Sequence, residues 1–254
     1  GEANTLRALG DLRLRLADLE GAQQAYDEAL PLYREIGERL GEANTLRALG
    51  YLRLRVDDVE GAQQAYDEAL PLCREIGGRL GEANTLRALG ELRLLVDDLE
   101  GAQQAYDEAL PLYREIGGRL GEANCLLSLG DLRLRADDLE GAQQGYDEAL
   151  PLYREIGGRL GEANTYDGLG RLGMALGKPD DGVLHFGKAL AIYRSIGDRW
   201  STAKTLLGVV RALSMLRRTE EARAAVEEAE RLAREIDDAG LLKWVARARR
   251  ILGE

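Results

Sequence analysis

The chain has 254 residues, of which 45% are hydrophobic and 31% charged, with a formal net charge of −11 and a pI near 4.9. This is the composition of an ordered, water-soluble protein and not of a disordered one. The acidic balance argues against a nucleic-acid partner, which requires a basic face to displace counterions, and no apolar run approaches the roughly 20 residues of a bilayer span, so no membrane partner is expected.

In chain order, the first element is also the unit from which the rest is built. Gly1 to Leu40 returns at Gly41 with changes at Asp11/Tyr51, Leu16/Val56, Ala17/Asp57, Leu19/Val59, Tyr33/Cys73 and Glu38/Gly78. It returns again at Gly81 and Gly121, and more loosely at Gly161 and Ser201. A period of this length marks a repeat array, which grows by adding units. The expected division is six repeats (1–40, 41–80, 81–120, 121–160, 161–200 and 201–240) followed by a C-terminal capping helix over 241–254. The chain opens at Gly1, inside the repeat and without a methionine, and so reads as a piece of a longer protein.

Within the unit, Ala3, Leu6, Leu9, Leu12 and Leu16 fall at spacings of three and four. This predicts an amphipathic helix, helix A, from about Glu2 to Leu16. Asp18 suits the start of helix B, because a carboxylate accepts from the free N–H groups of a first turn. Helix B continues through Ala22, Ala25, Tyr26, Ala29, Leu30, Tyr33 and Ile36, and Gly37 ends it. The short connection makes the two helices antiparallel neighbours. Gly10, Ala22 and Ala29 are small where the two would touch. Pro31, Pro71, Pro111 and Pro151 fall inside helix B and are expected to bend it. In the last segment Trp244, Val245, Ala248 and Ile251 share one side of the capping helix, with Lys243, Arg247, Arg249 and Arg250 kept wet.

Leu6, Leu9, Gly10, Ala22, Tyr26 and Ala29 stand at the positions and spacing that define the tetratricopeptide repeat, which the sequence resembles over nearly its whole length. The unit is longer than that family's usual 34 residues. It is similar to the variant of kinesin light chains and of the sensor regions of bacterial STAND-type signalling ATPases. One departure is Arg13, which occupies a place where the family often has an aromatic. The resemblance implies an all-α fold, a right-handed superhelical solenoid of antiparallel helix pairs with helix A lining its concave surface. It implies a protein-interaction scaffold and not an enzyme.

No residue set specifies catalysis, a cofactor or a metal. Gly168-Leu169-Gly170-Arg171-Leu172-Gly173 matches the dinucleotide fingerprint, but no strand precedes it and Gly170 is the repeat's packing glycine. His185 is the lone histidine, without further donors that would hold a metal. The four Asp-Glu pairs from Asp27-Glu28 to Asp147-Glu148 read as a solvated helix face. Cys73 and Cys125 replace Tyr and Thr in unrelated slots, which suggests reduced thiols and a cytoplasmic location.

The candidate ligand-binding residues lie on helix A. Asn4, Asn44, Asn84, Asn124 and Asn164 form a row, with Arg7, Arg47 and Arg87 one turn on. An amide offers both donor and acceptor, so such a row suits an extended peptide backbone. Four residues after each arginine slot the chain varies most, reading Asp11, Tyr51, Glu91 and Asp131 before Arg171 and Arg211. There specificity is expected, with the acids favouring a basic or polar segment and Tyr51 an aromatic anchor. The expected partner is therefore a peptide or protein segment. Two alternatives remain beside the scaffold. One is the sensor arm of a larger STAND-type signalling ATPase. The other is a structural solenoid that self-associates through its uncapped N-terminal repeat, where Leu6 and Leu9 await a cover.

Overall fold

The structure, a computed structural model, describes residues 1–253, and its secondary structure is entirely helical. It contains two compact units, meeting at Cys125 and Leu126. The first holds α1 (Glu2–Arg15), α2 (Leu19–Ile36), α3 (Arg39–Arg55), α4 (Val59–Glu75), α5 (Arg79–Leu95) and α6 (Leu99–Glu115). Helix α7 (Arg119–Arg135) contains the boundary. The second holds α8 (Leu139–Glu155), α9 (Arg159–Ala175), α10 (Pro179–Ile196), α11 (Arg199–Met215), α12 (Thr219–Glu235) and α13 (Ala239–Ile251). Odd-numbered helices up to α11 are A helices and even-numbered ones are B helices.

The A-to-B turn is fixed by polar contacts that repeat. Asp18, Asp58, Asp98 and Asp138 cap helix B by accepting from Gly21, Gly61, Gly101 and Gly141 N–H at 2.9–3.0 Å. A Cβ on Gly21 would lie 2.2 Å from the Asp18 carboxylate, so this turn requires glycine. Arg13, Arg53 and Arg93 donate from Nη1 to the carbonyls of Gly21, Gly61 and Gly101 at 2.9, 2.7 and 2.7 Å. The arginine in the family's aromatic position thus ties helix A to the first turn of helix B. Just before the cap, Ala17, Asp57, Asp97 and Asp137 are left-handed, with φ of 60–63°.

After the first repeat, helix A starts about three residues earlier than the repeat pattern predicts, at Arg39, Arg79 and Arg159. Glu38, not a residue of the GEAN motif, caps α3 by accepting from Gly41 N–H at 2.7 Å. Helix B runs unbroken through each of the four prolines. Gly37, expected to end the first, is left-handed at φ 66°.

Packing follows the small residues. A Cβ on Gly10, Gly50, Gly90 or Gly130 would meet the ring of Tyr26, Tyr66, Tyr106 or Tyr146 at 2.5–2.7 Å. Ala22 and Ala29 are fully buried. Repeats join when the next helix A covers this pair: Ala22 and Tyr26 of α2 form one cluster with Leu49 and Leu52 of α3 and Ala65 of α4. Leu9 is 37% exposed where its counterpart Leu49 is 2% exposed. In the second unit, Phe186, Leu206, Val210, Val226, Leu241 and Val245 make a larger core across α10 to α13.

The glutamate of GEAN also joins repeats, a role the sequence pattern did not reveal. Glu42 is buried between Arg34 of the preceding helix B, at 3.0 Å, and Arg39, at 3.1 Å. Arg34 then reaches Glu68 of the next helix B at 2.7 Å. Arg74, Glu82, Arg79 and Glu108 repeat the arrangement. The Asp-Glu pairs are therefore not simply a solvated face, since Glu68 and Glu108 each hold an arginine from the repeat before.

Candidate peptide-binding groove on the helix-A face

Helices α1, α3 and α5 of the first unit expose one row of residues to a groove of about 630 Å³. Eight of the residues expected from sequence meet there: Arg7, Asp11, Asn44, Arg47, Tyr51, Asn84, Arg87 and Glu91. Tyr66 and Arg55, which sequence reasoning missed, also line it. Arg55 was legible as the next turn after Tyr51, whereas Tyr66 enters from helix B and needed the register of the two helices. Four arginines against two carboxylates make this groove basic in a chain of net charge −11.

The asparagine row is less free than the sequence suggested. Asn4, Asn84 and Asn164 accept from the hydroxyls of Tyr33, Tyr113 and Tyr193 at 2.6 Å each. Their side-chain oxygens are thus engaged within the repeat, which leaves the amide N–H groups for a ligand. Asn44 differs, because Cys73 stands where the tyrosine would be; its oxygen accepts instead from Arg47 Nη1 at 3.0 Å. Asn124 is half-buried.

The acids of the variable slot are paired as well. Asp11 accepts from Arg7 at 3.0 Å and from the Tyr26 hydroxyl at 2.8 Å. Glu91 is in contact with Arg87. Their charge is spent locally, so the expectation that they favour a basic segment loses its electrostatic support. Tyr51 is half exposed and has no such pairing. Burial, with Glu91 nearby, pushes the Tyr66 phenol up to about 12, which keeps it a donor at neutral pH.

In the second unit, Asp131 and Asn164 line a separate pocket of about 350 Å³. Its polar groups are closed on themselves. Asp131 accepts from the Tyr146 hydroxyl and from Arg171 Nη2, both at 2.7 Å. Buried Asp167 accepts from Arg171 Nε at 3.1 Å and from Thr205 Oγ1 at 2.8 Å. Trp200 and Lys204 sit at this pocket in a cation–π contact of 5.4 Å. The fingerprint-like glycines lie inside α9 and serve packing: a Cβ on Gly168 would meet Tyr146 at 2.6 Å and one on Gly170 would meet Phe186 at 2.4 Å.

The Tetratricopeptide repeat family matches residues 1–75, 41–115, 81–155 and 122–195. The chain belongs to the tetratricopeptide repeat family. No curated protein sequence matches it significantly. Among solved structures it is similar to BtubC (BKLC) from P. vanneervenii, with a TM-score of 0.71 and 19% identity over 93% of this chain and 91% of that one. It is similar to a signal transduction ATPase with numerous domains and a tetratricopeptide repeat sensor from Pyrococcus horikoshii, with a TM-score of 0.83 and 16% identity. That match covers 99% of this chain but 39% of the Pyrococcus protein. A third similar structure is the Rap conjugation gene regulator of the plasmid pLS20 in complex with the Phr* peptide, with a TM-score of 0.67 and 18% identity over 84% of this chain and 58% of that one. At these identities the likeness is one of fold. Among the described residues, no helix is long and apolar enough to cross a membrane.

Proposed function

We propose that this tetratricopeptide repeat chain is a protein-interaction module that holds an extended peptide segment along the helix-A face of its first unit. The observation that carries this is the groove of α1, α3 and α5, where basic, amide and aromatic groups converge. Amide N–H groups of Asn44 and Asn84 suit the carbonyls of an extended backbone, and Tyr51 offers a rigid ring. Similarity to a Rap regulator captured with a peptide lends support. The arginines, asparagines and tyrosines that line the groove are side chains suited to recognition of a peptide. A cytoplasmic setting is consistent with two free buried thiols; burial pushes Cys73 upward and Cys125 to about 12, which keeps both unreactive.

A selection of random twelve-residue peptides on the intact chain tests this reading. Binding of the selected peptides is then compared with Tyr51→Ala, Arg87→Ala and, on the exposed helix-B side, Gln64→Ala. The groove variants are expected to lose about 1 kcal/mol or more each, and Gln64→Ala nothing. Binding that depends on Gln64 and ignores Tyr51 and Arg87 refutes the assignment.

A second reading is the sensor arm of a larger signalling ATPase, favoured by the likeness to the Pyrococcus protein. A phosphate-loop domain encoded upstream of Gly1 would support it, and an upstream region without one would remove it.

A further inference from the structure

Repeat two departs from both neighbours at Tyr51, Val59 and Cys73, and the first and last of these alter the partners of residues that line the groove. Tyr51 stands where repeats one, three and four carry Asp11, Glu91 and Asp131. Cys73 stands where repeats one, three and four carry Tyr33, Tyr113 and Tyr153. Each substitution removes a partner that the other repeats supply.

Three groups are left over. Arg7 and Arg87 each pair with the acid four residues on, but Arg47 faces Tyr51 and has no carboxylate partner among the described residues. Tyr26 and Tyr146 donate to Asp11 and Asp131, but Tyr66 has Tyr51 in that slot, and its hydroxyl hydrogen-bonds to no protein group among the described residues, with Glu91 of the next repeat nearby but not bonded to it. Asn4 and Asn84 accept from a tyrosine, but Asn44 has only Arg47. Arg47, Tyr66 and Asn44 all line the groove of about 630 Å³. Asn44 and Arg47 are half-buried and Tyr66 is buried, so all three are held in place at the groove wall.

The three share one chemistry. The guanidinium, the protonated phenol and the amide N–H groups are all donors, and one carries a full positive charge. The acceptor that repeats one and four hold within their own chain, as Asp11 and Asp131, is missing here. We infer that repeat two is the specificity position of the groove, where Arg47, Tyr66 and Asn44 take the carboxylate of an Asp or Glu side chain from a bound extended segment. The ligand's acid then completes a contact that the flanking repeats complete internally. Arg47 presents a planar fork matched to a carboxylate, and Tyr51 walls the space beside it. This rests on the peptide-binding reading above and adds the partner's chemistry at one register. It also reverses the expectation that a basic segment would be preferred.

The test is a double variant, Tyr51→Asp with Cys73→Tyr, which restores to repeat two the residues that repeat one already carries. Gly81 keeps the space for the new ring, as Gly41 does for Tyr33. The variant is therefore expected to fold. Peptides selected on the unaltered chain are expected to carry Asp or Glu at one aligned position. Changing that acid to its amide is expected to weaken binding about tenfold or more on the unaltered chain, and little on the double variant. The double variant itself is expected to bind the acidic peptide at least tenfold more weakly. Selected peptides that lack an aligned acid, or that bind both proteins equally, overturn the inference while leaving the groove as a peptide site. If the unaltered chain selects no peptide, the broader reading fails with it.

Discussion

Replacing Cys73 with tyrosine should stabilise the protein, although it inserts a large ring into a buried position. In repeats one and three the equivalent ring packs against a glycine of the next helix A; a Cβ there would come within 2.1 Å of Tyr33 and 2.0 Å of Tyr113. At Gly81 the same hypothetical atom meets Cys73 alone, the sulfur at 3.0 Å and the Cβ at 3.8 Å. Tyrosine in place of cysteine would bury roughly 80 Å² more apolar surface, worth about 2 kcal/mol. A hydroxyl bond to Asn44, like that of Tyr33 to Asn4, adds about 1 kcal/mol. Ordering the side chain costs about 1 kcal/mol, and Arg47 must release Asn44. The net gain is about 1–2 kcal/mol. Urea unfolding followed by circular dichroism at equal protein concentration measures it, with Tyr113→Cys as the reverse change, expected to lose a similar amount. If Cys73→Tyr is neutral or destabilising while Tyr113→Cys destabilises, the space beside Gly81 is not a tyrosine site and the comparison of repeats fails.

Other outcomes follow from the same contacts. Ala17→Gly should raise stability by about 0.5–1 kcal/mol in urea unfolding, because alanine is held at φ 60° and glycine is not strained there. Gly50→Ala should cost about 1–3 kcal/mol, since its Cβ would lie 2.5 Å from the Tyr66 ring; a tolerated alanine would mean that the helix pair yields more easily than its packing implies. Glu82→Gln should cost about 1–3 kcal/mol by leaving Arg74 and Arg79 without their shared buried acid, with half-exposed arginines keeping the loss below that of a fully buried pair. Burial raises the folded-state pKa of Tyr66 from 10.0 to about 12, so its contribution is complete below pH 10 and is lost as pH rises through 12. Phenolate absorbance of Tyr66→Phe against the parent chain should show one late-titrating tyrosine fewer.

The fold was legible because its determinants are local and periodic. Gly10, Ala22, Tyr26 and Ala29 announce a close helix pair, and Asp18 and Gly37 mark where helix B begins and ends. The start of helix A after the first repeat was misplaced by about three residues because the helix begins at the end of the previous block, after Glu38, Gly78 and Gly158, and only Glu38 offers a capping side chain. The left-handed Asp57 and Asp97 were missed because aspartate also signals a cap, and its tolerance of positive φ is a weaker cue. The groove residues were legible as a face of helix A. Their pairing was not, because it depends on register between helices. Asn4 and Tyr33 are 29 residues apart, and Arg34 and Glu68 are 34 apart. Only the assembled pair reveals that the asparagines and acids are largely engaged, and that repeat two lacks both the slot acid and the tyrosine that engage them elsewhere.

The most direct test of the account is where a bound peptide lies. Benzoylphenylalanine placed at position 51 or at position 64, irradiated with a selected peptide and analysed by mass spectrometry, separates the helix-A groove from the helix-B side. The account predicts a peptide adduct from position 51 and none from position 64. An adduct from position 64, or none from position 51 while the peptide remains bound, would contradict it.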